Sequence, residues 1–347
     1  MIKYSAQYWE DIKSVIKHIP NIDRLYGKSV LITGATGMIC SVVAEIIMYL
    51  NAYENANVKL FLAGRSKERV RKRFADIDNG MNYYYVHFDA VMNEIDDIEN
   101  VDYVIYGASP AGPSMCAMYP VETILSNISG LSTVLDNVKG VKKFLYISSS
   151  EVYGRKESTE PFKENDYGFV DILNSRACYP SAKRAAETLC IAYSDEKDID
   201  ISIVRPGHIY GPSIIASDSR ATAQFMRNIA DNNDIVMKSA GTQLRSYCYT
   251  NDCASAILCV LINGYNKKAY NISNKGSICS IRQIAQEMAT ASGHELIFEE
   301  ASDYEKNSYN LMDNSSLTSS SIEELGWSAE FDLKKGVASM IRDYINE

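Results

Sequence analysis

Several common features are missing from this chain of 347 residues, and each absence narrows what it can be. The net charge is −9, whereas a nucleic-acid-binding protein carries an excess of basic residues on one face. This argues against a nucleic-acid-binding protein. No apolar run approaches the ~20 residues needed to cross a bilayer, so we predict no membrane segment. The 8 cysteines include no C-x-x-C pair. We therefore expect buried free thiols, with neither a disulfide framework nor a metal site.

The chain also lacks an internal repeat and a low-complexity linker. Its first residues, Met1-Ile2-Lys3-Tyr4, do not resemble a signal peptide. Together with the expected free thiols, this predicts a cytoplasmic protein. The 46% hydrophobic and 23% charged content is typical of globular chains, and the length predicts two lobes rather than one core.

Short apolar runs alternate with helical patterns over the first two thirds of the chain. This alternation predicts an α/β fold, a Rossmann-like doubly wound parallel sheet with helices on both faces. The predicted strands are 29–33, 58–63, 83–86, 103–106, 143–147 and 201–204, and the main predicted helices are 8–19, 38–50, 67–74, 119–137 and 179–194. After residue 205 the rhythm changes. We expect 206–347 to form mainly a smaller C-terminal lobe, with about 246–263 returning to the first.

A glycine turn joins the first strand to the helix after it, in the run Thr33-Gly34-Ala35-Thr36-Gly37-Met38-Ile39-Cys40. Gly34 would permit the tight turn, and Gly37 would let the backbone approach a pyrophosphate at the helix N-terminus. Cys40 replaces the third glycine, whose usual role is close packing. An ordinary strand–turn–helix is the alternative. The turn predicts a dinucleotide-binding domain over 1–205, with cofactor contacts from Gly34, Thr36, Gly37, Met38 and Ile39.

The end of the second strand bears on which dinucleotide binds. The run Leu62-Ala63-Gly64-Arg65-Ser66 has no acid to hold the ribose 2′-hydroxyl of NAD, whereas an arginine with a nearby hydroxyl suits a 2′-phosphate. NADP is therefore favoured over NAD, unless Arg65 is only a solvated helix-start residue. We expect Asp89 to contact the adenine edge and Ala108 to line the same site.

Tyr179 and Lys183 lie one turn apart on one face of a predicted helix. A free phenol titrates near pH ~10, and an adjacent ammonium lowers that pKa. Such a pair exchanges a proton with an alcohol or a ketone, which is half of a hydride transfer. Ser149, after the fifth strand, can hydrogen-bond the reacting oxygen.

These motifs, with Ala108-Ser109-Pro110-Ala111, Arg205-Pro206, Tyr210-Gly211-Pro212 and Arg245-Ser246-Tyr247, resemble the extended short-chain dehydrogenase/reductase family. The local likeness is strongest to its UDP-glucuronate decarboxylases. The resemblance implies that Tyr179 is the base, that Ser149 orients the substrate, and that Lys183 also binds the nicotinamide ribose. It also implies that Glu151 assists the substrate chemistry, and it places Ser109, Ser150, His208 and Arg245 near the substrate.

Two departures matter. The 4,6-dehydratases of this family carry an Asp-Glu pair where this chain has Ser150-Glu151, which disfavours a dehydratase. His208 replaces an asparagine near the nucleotide phosphates.

Relatives pair subunits through the helices near 119–137 and 179–194, which implies a homodimer.

We therefore expect an NAD(P)-dependent hydride-transfer enzyme that modifies a sugar or polyol linked to a nucleoside diphosphate, in an epimerase- or decarboxylase-like reaction. The alternative is an NADPH-dependent reductase that converts a nucleotide-linked ketose to an alditol or reduced sugar. A dinucleotide sensor without catalysis is disfavoured, because Ser149, Tyr179 and Lys183 are all present.

Overall fold

The computed structural model describes residues 2–77, 82–98, 100–110, 112–215, 218–300 and 312–344. Its strands, in chain order, are β1 Ser29–Thr33, β2 Lys59–Gly64, β3 Tyr84–Asp89, β4 Glu94–Ile95, β5 Tyr103–Tyr106, β6 Lys143–Ile147, β7 Ile201–Pro206, β8 His208–Tyr210, β9 Ile235–Met237, β10 Leu244–Tyr249, β11 Ala269–Ile272, β12 Ile278–Ser280, β13 Leu296–Phe298 and β14 Asn314–Ser315.

The helices are α1 Ala6–Ile16, α2 Met38–Tyr53, α3 Lys67–Arg73, α4 Pro113–Met118, α5 Pro120–Asn137, α6 Cys178–Lys197, α7 Ala221–Ala230, α8 Thr250–Asn263, α9 Ile281–Ser292, α10 Ser320–Glu323 and α11 Leu333–Asp343. Short 3₁₀ helices cover Ile22–Leu25, Ser150–Tyr153, Ser175–Ala177 and Lys275–Ser277.

A sheet of eight strands runs through the described part of the chain in the order β11-β7-β6-β5-β1-β2-β3-β4. Its neighbouring strands are parallel except for the β3–β4 pair at one edge. Helices α2 and α8 pack on each other beside it, and α5 packs on α6. This order confirms the predicted doubly wound Rossmann-like fold. It reverses between β1 and β5, where such sheets bind ligands at the strands' carboxyl ends.

The later part of the chain builds a smaller layer around β10. This strand pairs with β8, β12 and β14, while α7 and α9 pack on each other and on the small β9–β13 ribbon. The large sheet takes one further strand from beyond residue 263, because β11 pairs with β7. The division into two lobes stays a prediction.

Three other expectations can be compared with the described residues. All 8 cysteines are free and buried, as predicted. The helix expected over 119–137 is α5, which begins at Pro120, and the short α4 precedes it as a separate helix. Among the described helices, none combines the length and the apolarity that crossing a membrane requires. Ala111 of the quoted motif lies outside the described residues.

Candidate active site

The glycine turn lies at the carboxyl end of β1, beside β5. Gly34 has φ +65°, and a Cβ on it would stand 2.8 Å from the carbonyl oxygen of Gly107. Both the left-handed backbone and the close approach therefore require glycine. Gly37 is exposed at the N-cap of α2, and its N–H donates to the Gly34 carbonyl at 2.9 Å. The turn thus presents open backbone at a helix N-terminus, which fits a pyrophosphate.

Cys40, at the third position of the glycine pattern, is accommodated by a second glycine. A Cβ on Gly107 would overlap the Cys40 Sγ, so the missing side chain after β5 leaves room for the thiol. Next to this contact, the Thr33 Oγ1 accepts hydrogen bonds from the N–H groups of Gly107 (3.1 Å) and Ala108 (3.2 Å). The helix therefore reaches the sheet closely without the usual glycine.

Tyr179, Ser149 and Lys183 meet at the carboxyl end of β6. Tyr179 and Lys183 are buried at the start of α6, and the Ser149 hydroxyl lies near enough to the Tyr179 side chain to favour its ionised form. The Lys183 Nζ donates to the Ile147 carbonyl at 2.8 Å and lies 5.8 Å from the centre of the Tyr179 ring. The structure therefore brings the three sequence-predicted residues together.

Burial is the main influence on the pKa of Tyr179 in this structure, and the lowering by Lys183 stays a prediction. Burial raises the pKa of Tyr179 above its ordinary value, and the nearby Glu151 carboxylate raises it further. Burial also lowers the pKa of Lys183 to about 8. The ammonium donates to a backbone carbonyl, and the effect of burial keeps the phenol protonated at neutral pH.

Glu151 is enclosed between Tyr179 and two arginines. Burial raises the pKa of Glu151, while Arg176 and Arg245 act in the opposite direction. Arg245 is buried on β10, where its guanidinium donates to the Leu244 carbonyl at 2.8 Å. Strand β10 thus places a buried cation near the carboxylate, an arrangement that can bind a polar or anionic substrate group.

His208 lies on β8, opposite Tyr247 of the strand that carries Arg245. Burial lowers the pKa of His208 to about 3, and the charges of Arg245 and Arg220 add to this effect. The imidazole is therefore neutral at physiological pH. Its Nδ1 is buried and has no hydrogen-bond partner among the described residues. A neutral ring can donate one hydrogen bond to a phosphate, but it contributes no charge.

Sequence reasoning missed Arg220, which connects β8 to the start of α2. Its guanidinium pairs with Asp218 (2.6 Å), donates to the Ile209 carbonyl (3.1 Å) and lies 3.4 Å from the Met38 Sδ at the start of α2. Its charge also reaches Tyr179 and His208. An arginine two residues after an aspartate in a loop gives no pattern from which this position could be predicted. Arg176, just before α6, was not predicted as a site residue.

The remaining predicted positions lie at or just after the carboxyl ends of the strands β1, β2, β3, β5 and β6. Arg65 is exposed beyond β2. The Asp89 Oδ1 accepts hydrogen bonds from the N–H groups of Val91 (2.9 Å) and Met92 (3.2 Å), so this oxygen caps a turn. The Ser109 Oγ is buried with no partner in the described part of the chain. Ser150 is buried in the 3₁₀ turn after Ser149, and Thr36 and Ile39 are half-buried beside Met38.

The fold and site together define an enzyme that works with a nicotinamide dinucleotide held on a doubly wound sheet. The chain belongs to the NAD dependent epimerase/dehydratase family, whose model matches residues 30–273. This membership confirms the predicted family, enzyme class and type of cofactor. The family description is written for NAD, and the preference for NADP stays a prediction.

Among curated proteins, the chain is similar to UDP-glucuronic acid decarboxylases. It is 27% identical to decarboxylase 3 of Arabidopsis thaliana over 320 residues, which cover 91% of this chain and 88% of that protein. It is 26% identical to decarboxylase 1 of Xenopus tropicalis over 295 residues, 83% of this chain and 66% of that one.

Solved structures share the fold. A mutant UDP-glucuronic acid 4-epimerase of Bacillus cereus, in complex with NAD and a UDP-linked fluorinated glucuronic acid, superposes with a TM-score of 0.76 at 20% identity, covering 90% of this chain and 98% of that one. The epimerase Mth375 of Methanothermobacter thermautotrophicus gives a TM-score of 0.78 at 16% identity, covering 95% of each chain. At these identities the likeness concerns the fold.

Proposed function

We propose that this enzyme transfers a hydride at a carbinol carbon of a sugar linked to a nucleoside diphosphate, in an epimerase- or decarboxylase-like reaction. The observation that carries the proposal is the meeting of Ser149, Tyr179 and Lys183 beside the glycine turn. Relatives named as UDP-glucuronic acid decarboxylases and a similar fold holding a UDP sugar with NAD support the substrate class.

The chain's own residues supply the proton chemistry. In the oxidising direction Tyr179 takes the hydroxyl proton, and in the reducing direction it returns one to the carbonyl oxygen. Ser149 orients that oxygen, and Lys183 holds its ammonium below the phenol. When bound, the nicotinamide accepts or gives the hydride. Because Tyr179 is protonated in the structure as described, it acts as a base only after positive charge near the hydroxyl lowers its pKa.

The polar groups near Tyr179 fit the remaining parts of such a substrate. Glu151 lies beside Tyr179 and can exchange a proton with the sugar, since its raised pKa brings it closer to neutrality. Arg245 faces it from β10 and suits the diphosphate or the sugar. His208, being neutral, can serve as a hydrogen-bond donor to the diphosphate. The cofactor pocket would be formed by the glycine turn together with Ala108 and Asp89.

The test is turnover of UDP-glucuronate, UDP-glucose and UDP-N-acetylglucosamine, followed by product analysis with NMR and mass spectrometry. Loss of the proton-transfer group in Tyr179→Phe should reduce kcat about 10²- to 10⁴-fold. Tyr193→Phe, which removes a hydroxyl from the same helix but outside the site, should retain turnover. Full activity of Tyr179→Phe, or no reaction of the wild type with any nucleotide sugar, would contradict the proposal.

A second candidate is the NADPH-dependent reductase of a nucleotide-linked ketose, which the exposed Arg65 favours. The cofactor that accompanies the purified protein separates the two. Stoichiometric NAD that survives gel filtration would contradict the reductase. An empty site that consumes NADPH with a nucleotide-linked ketose would contradict the epimerase- or decarboxylase-like reaction.

The described structure also supports a homodimer through α5 and α6. Val121, Ile124 and Leu125 are exposed on α5, and Ile128 extends the same face. An exposed apolar stripe of this kind is typical of an interaction surface. Free buried thiols support a cytoplasmic location.

A further inference from the structure

The carboxyl end of β2 lies next to the glycine turn and carries a cation. β2 pairs in parallel with β1, with Ala63 opposite Thr33, and the Ala35 N–H points to the Ala63 carbonyl at 3.4 Å. Arg65 stands two residues beyond Ala63. In doubly wound folds this strand end is where the adenosine ribose of a dinucleotide lies.

The hydrogen-bonding groups around this position do not suit a ribose 2′-hydroxyl. The run 62–66 contains no carboxylate to accept the hydroxyl proton. The Asp89 Oδ1, at the end of the next strand, is already used by the turn that follows β3. The nearest acid along the chain is Glu68, which is exposed on α3.

The same position is well suited to an anion. Arg65 is exposed, and its guanidinium forms no ion pair or hydrogen bond with the described residues. The Ser66 Oγ accepts from the Arg69 N–H at 3.2 Å, which leaves its own O–H free to donate. Lys67, Arg71 and Lys72 line a groove beside it. This local excess of positive charge stands out in a chain whose net charge is −9.

We propose that Arg65 binds the 2′-phosphate of the cofactor, with a hydrogen bond from Ser66, and that the site therefore selects NADP(H) over NAD(H). The inference rests on the proposed function only in requiring that the glycine turn hold a dinucleotide. A guanidinium binds a phosphate through charge-assisted hydrogen bonds. A 2′-hydroxyl at the same place finds no acceptor to compensate for the water it loses.

The experiment is calorimetric titration of nucleotide-free protein with NADP⁺ and NAD⁺. Because hydrogen bonds to charged groups are among the stronger ones, we expect NADP⁺ to bind about 10- to 100-fold more tightly. Arg65→Glu should remove or reverse this ratio. Arg71→Glu makes the same charge change in the neighbouring groove and should keep the affinity ratio. Because Arg65 is exposed, Arg65→Glu should leave the melting temperature unchanged.

Equal or tighter binding of NAD⁺ by the wild type, or an unchanged ratio in Arg65→Glu, would overturn the assignment. Equal loss of the NADP⁺ to NAD⁺ affinity ratio in Arg65→Glu and Arg71→Glu would also overturn the assignment. The preference would then come from the overall positive electrostatic potential of this surface and not from a contact with Arg65. The readout is independent of turnover. Selective NADP⁺ binding without nucleotide-sugar turnover would leave Arg65 assigned and contradict the proposed function, whereas turnover with NAD and no selectivity would do the reverse.

Discussion

The contact between Cys40 and Gly107 shows how two residues far apart in sequence compensate for each other. The usual third glycine of the turn is absent, yet α2 approaches the sheet because residue 107 has no side chain. Either position read alone predicts the wrong consequence. A cysteine in the turn suggests a displaced helix, and a glycine after β5 suggests only a loop.

A double-mutant cycle tests this compensation. Gly107→Ala should destabilise the fold by about 2–3 kcal/mol, as overpacking typically does, because the new Cβ overlaps the Cys40 Sγ. Cys40→Ala should cost about 1 kcal/mol for the lost packing. The double variant should be more stable than the sum of the two, with a coupling of about 1–2 kcal/mol measured by urea unfolding. Simple additivity would show that the overlap relaxes elsewhere.

His208 contributes a pH dependence at the acid side. The unfolded imidazole titrates near pH ~6.5, whereas burial and the charges of Arg245 and Arg220 lower the pKa of His208 to about 3 in the fold. Below pH ~6.5 the unfolded chain takes up a proton that the folded chain does not. The contribution of neutral His208 to the free energy of unfolding is therefore fully present above pH ~6.5 and is lost as the pH falls towards 3.

We expect this loss to disappear in His208→Gln. Between pH 6.5 and 5 the wild type should lose about 2 kcal/mol of unfolding free energy more than the variant does, at up to about 1.4 kcal/mol per pH unit. Urea unfolding across this range measures both slopes. Equal slopes of unfolding free energy against pH for the two proteins would mean that His208 is protonated in the folded state as readily as in the unfolded chain.

Among the elements, strands at the centre of the sheet were the most predictable. β1, β5 and β6 begin and end at the predicted residues, because each is a continuous apolar run between turn signals. β11 was missed because its four residues, Ala269–Ile272, carry no alternating pattern and their partner β7 lies far away in sequence. Contacts between residues that are distant in sequence limit the prediction of the site in the same way. Tyr179 and Lys183 share one helix turn and could be predicted together, whereas Arg220 reaches the glycine turn only through tertiary packing.

Three helices meet at a buried carboxylate that the sequence pattern does not reveal. Glu45 on α2 is fully buried, pairs with Arg73 of α3 at 2.7 Å, and accepts hydrogen bonds from the hydroxyls of Tyr4 and of Tyr8 on α1. The N-terminal segment is thereby attached to the two helices that follow β1 and β2. The cluster stabilises the helix whose N-terminus bears the glycine turn.

Arg73→Leu should destabilise the protein by about 3–5 kcal/mol, because the Glu45 carboxylate would remain buried without its cation. Adding Glu45→Gln should recover part of this loss, since a neutral amide oxygen still accepts hydrogen bonds from the tyrosines. Chemical unfolding of the single and double variants measures the recovery. If the double variant is as unstable as Arg73→Leu, the arginine acts through packing rather than charge.

At the scale of the whole molecule, α5, which packs on α6, leaves an apolar stripe exposed. Val121, Ile124 and Leu125 are 67%, 42% and 48% exposed. With Ile128 they follow the spacing i, i+3, i+4, i+7, which places them on one helix face. A groove of about 430 Å³ continues this face between Ile128, Ser132 and Leu189.

A second copy of the chain is the occupant proposed for this face, because two such helix pairs related by a two-fold axis would cover each other's stripe. The wild type should then run at twice 38.7 kDa in light scattering after gel filtration. Val121→Glu with Leu125→Glu places two charges in the proposed contact, so this variant should run as a monomer at micromolar concentration. Tyr265→Glu, which changes an exposed aromatic residue outside the stripe, should stay dimeric. A monomeric wild type, or a dimeric double variant, would show that this face is not the interface.

In a dimer held together by α5 and α6, the helix that carries Tyr179 and Lys183 is part of the contact, so the monomeric variant should also lose turnover.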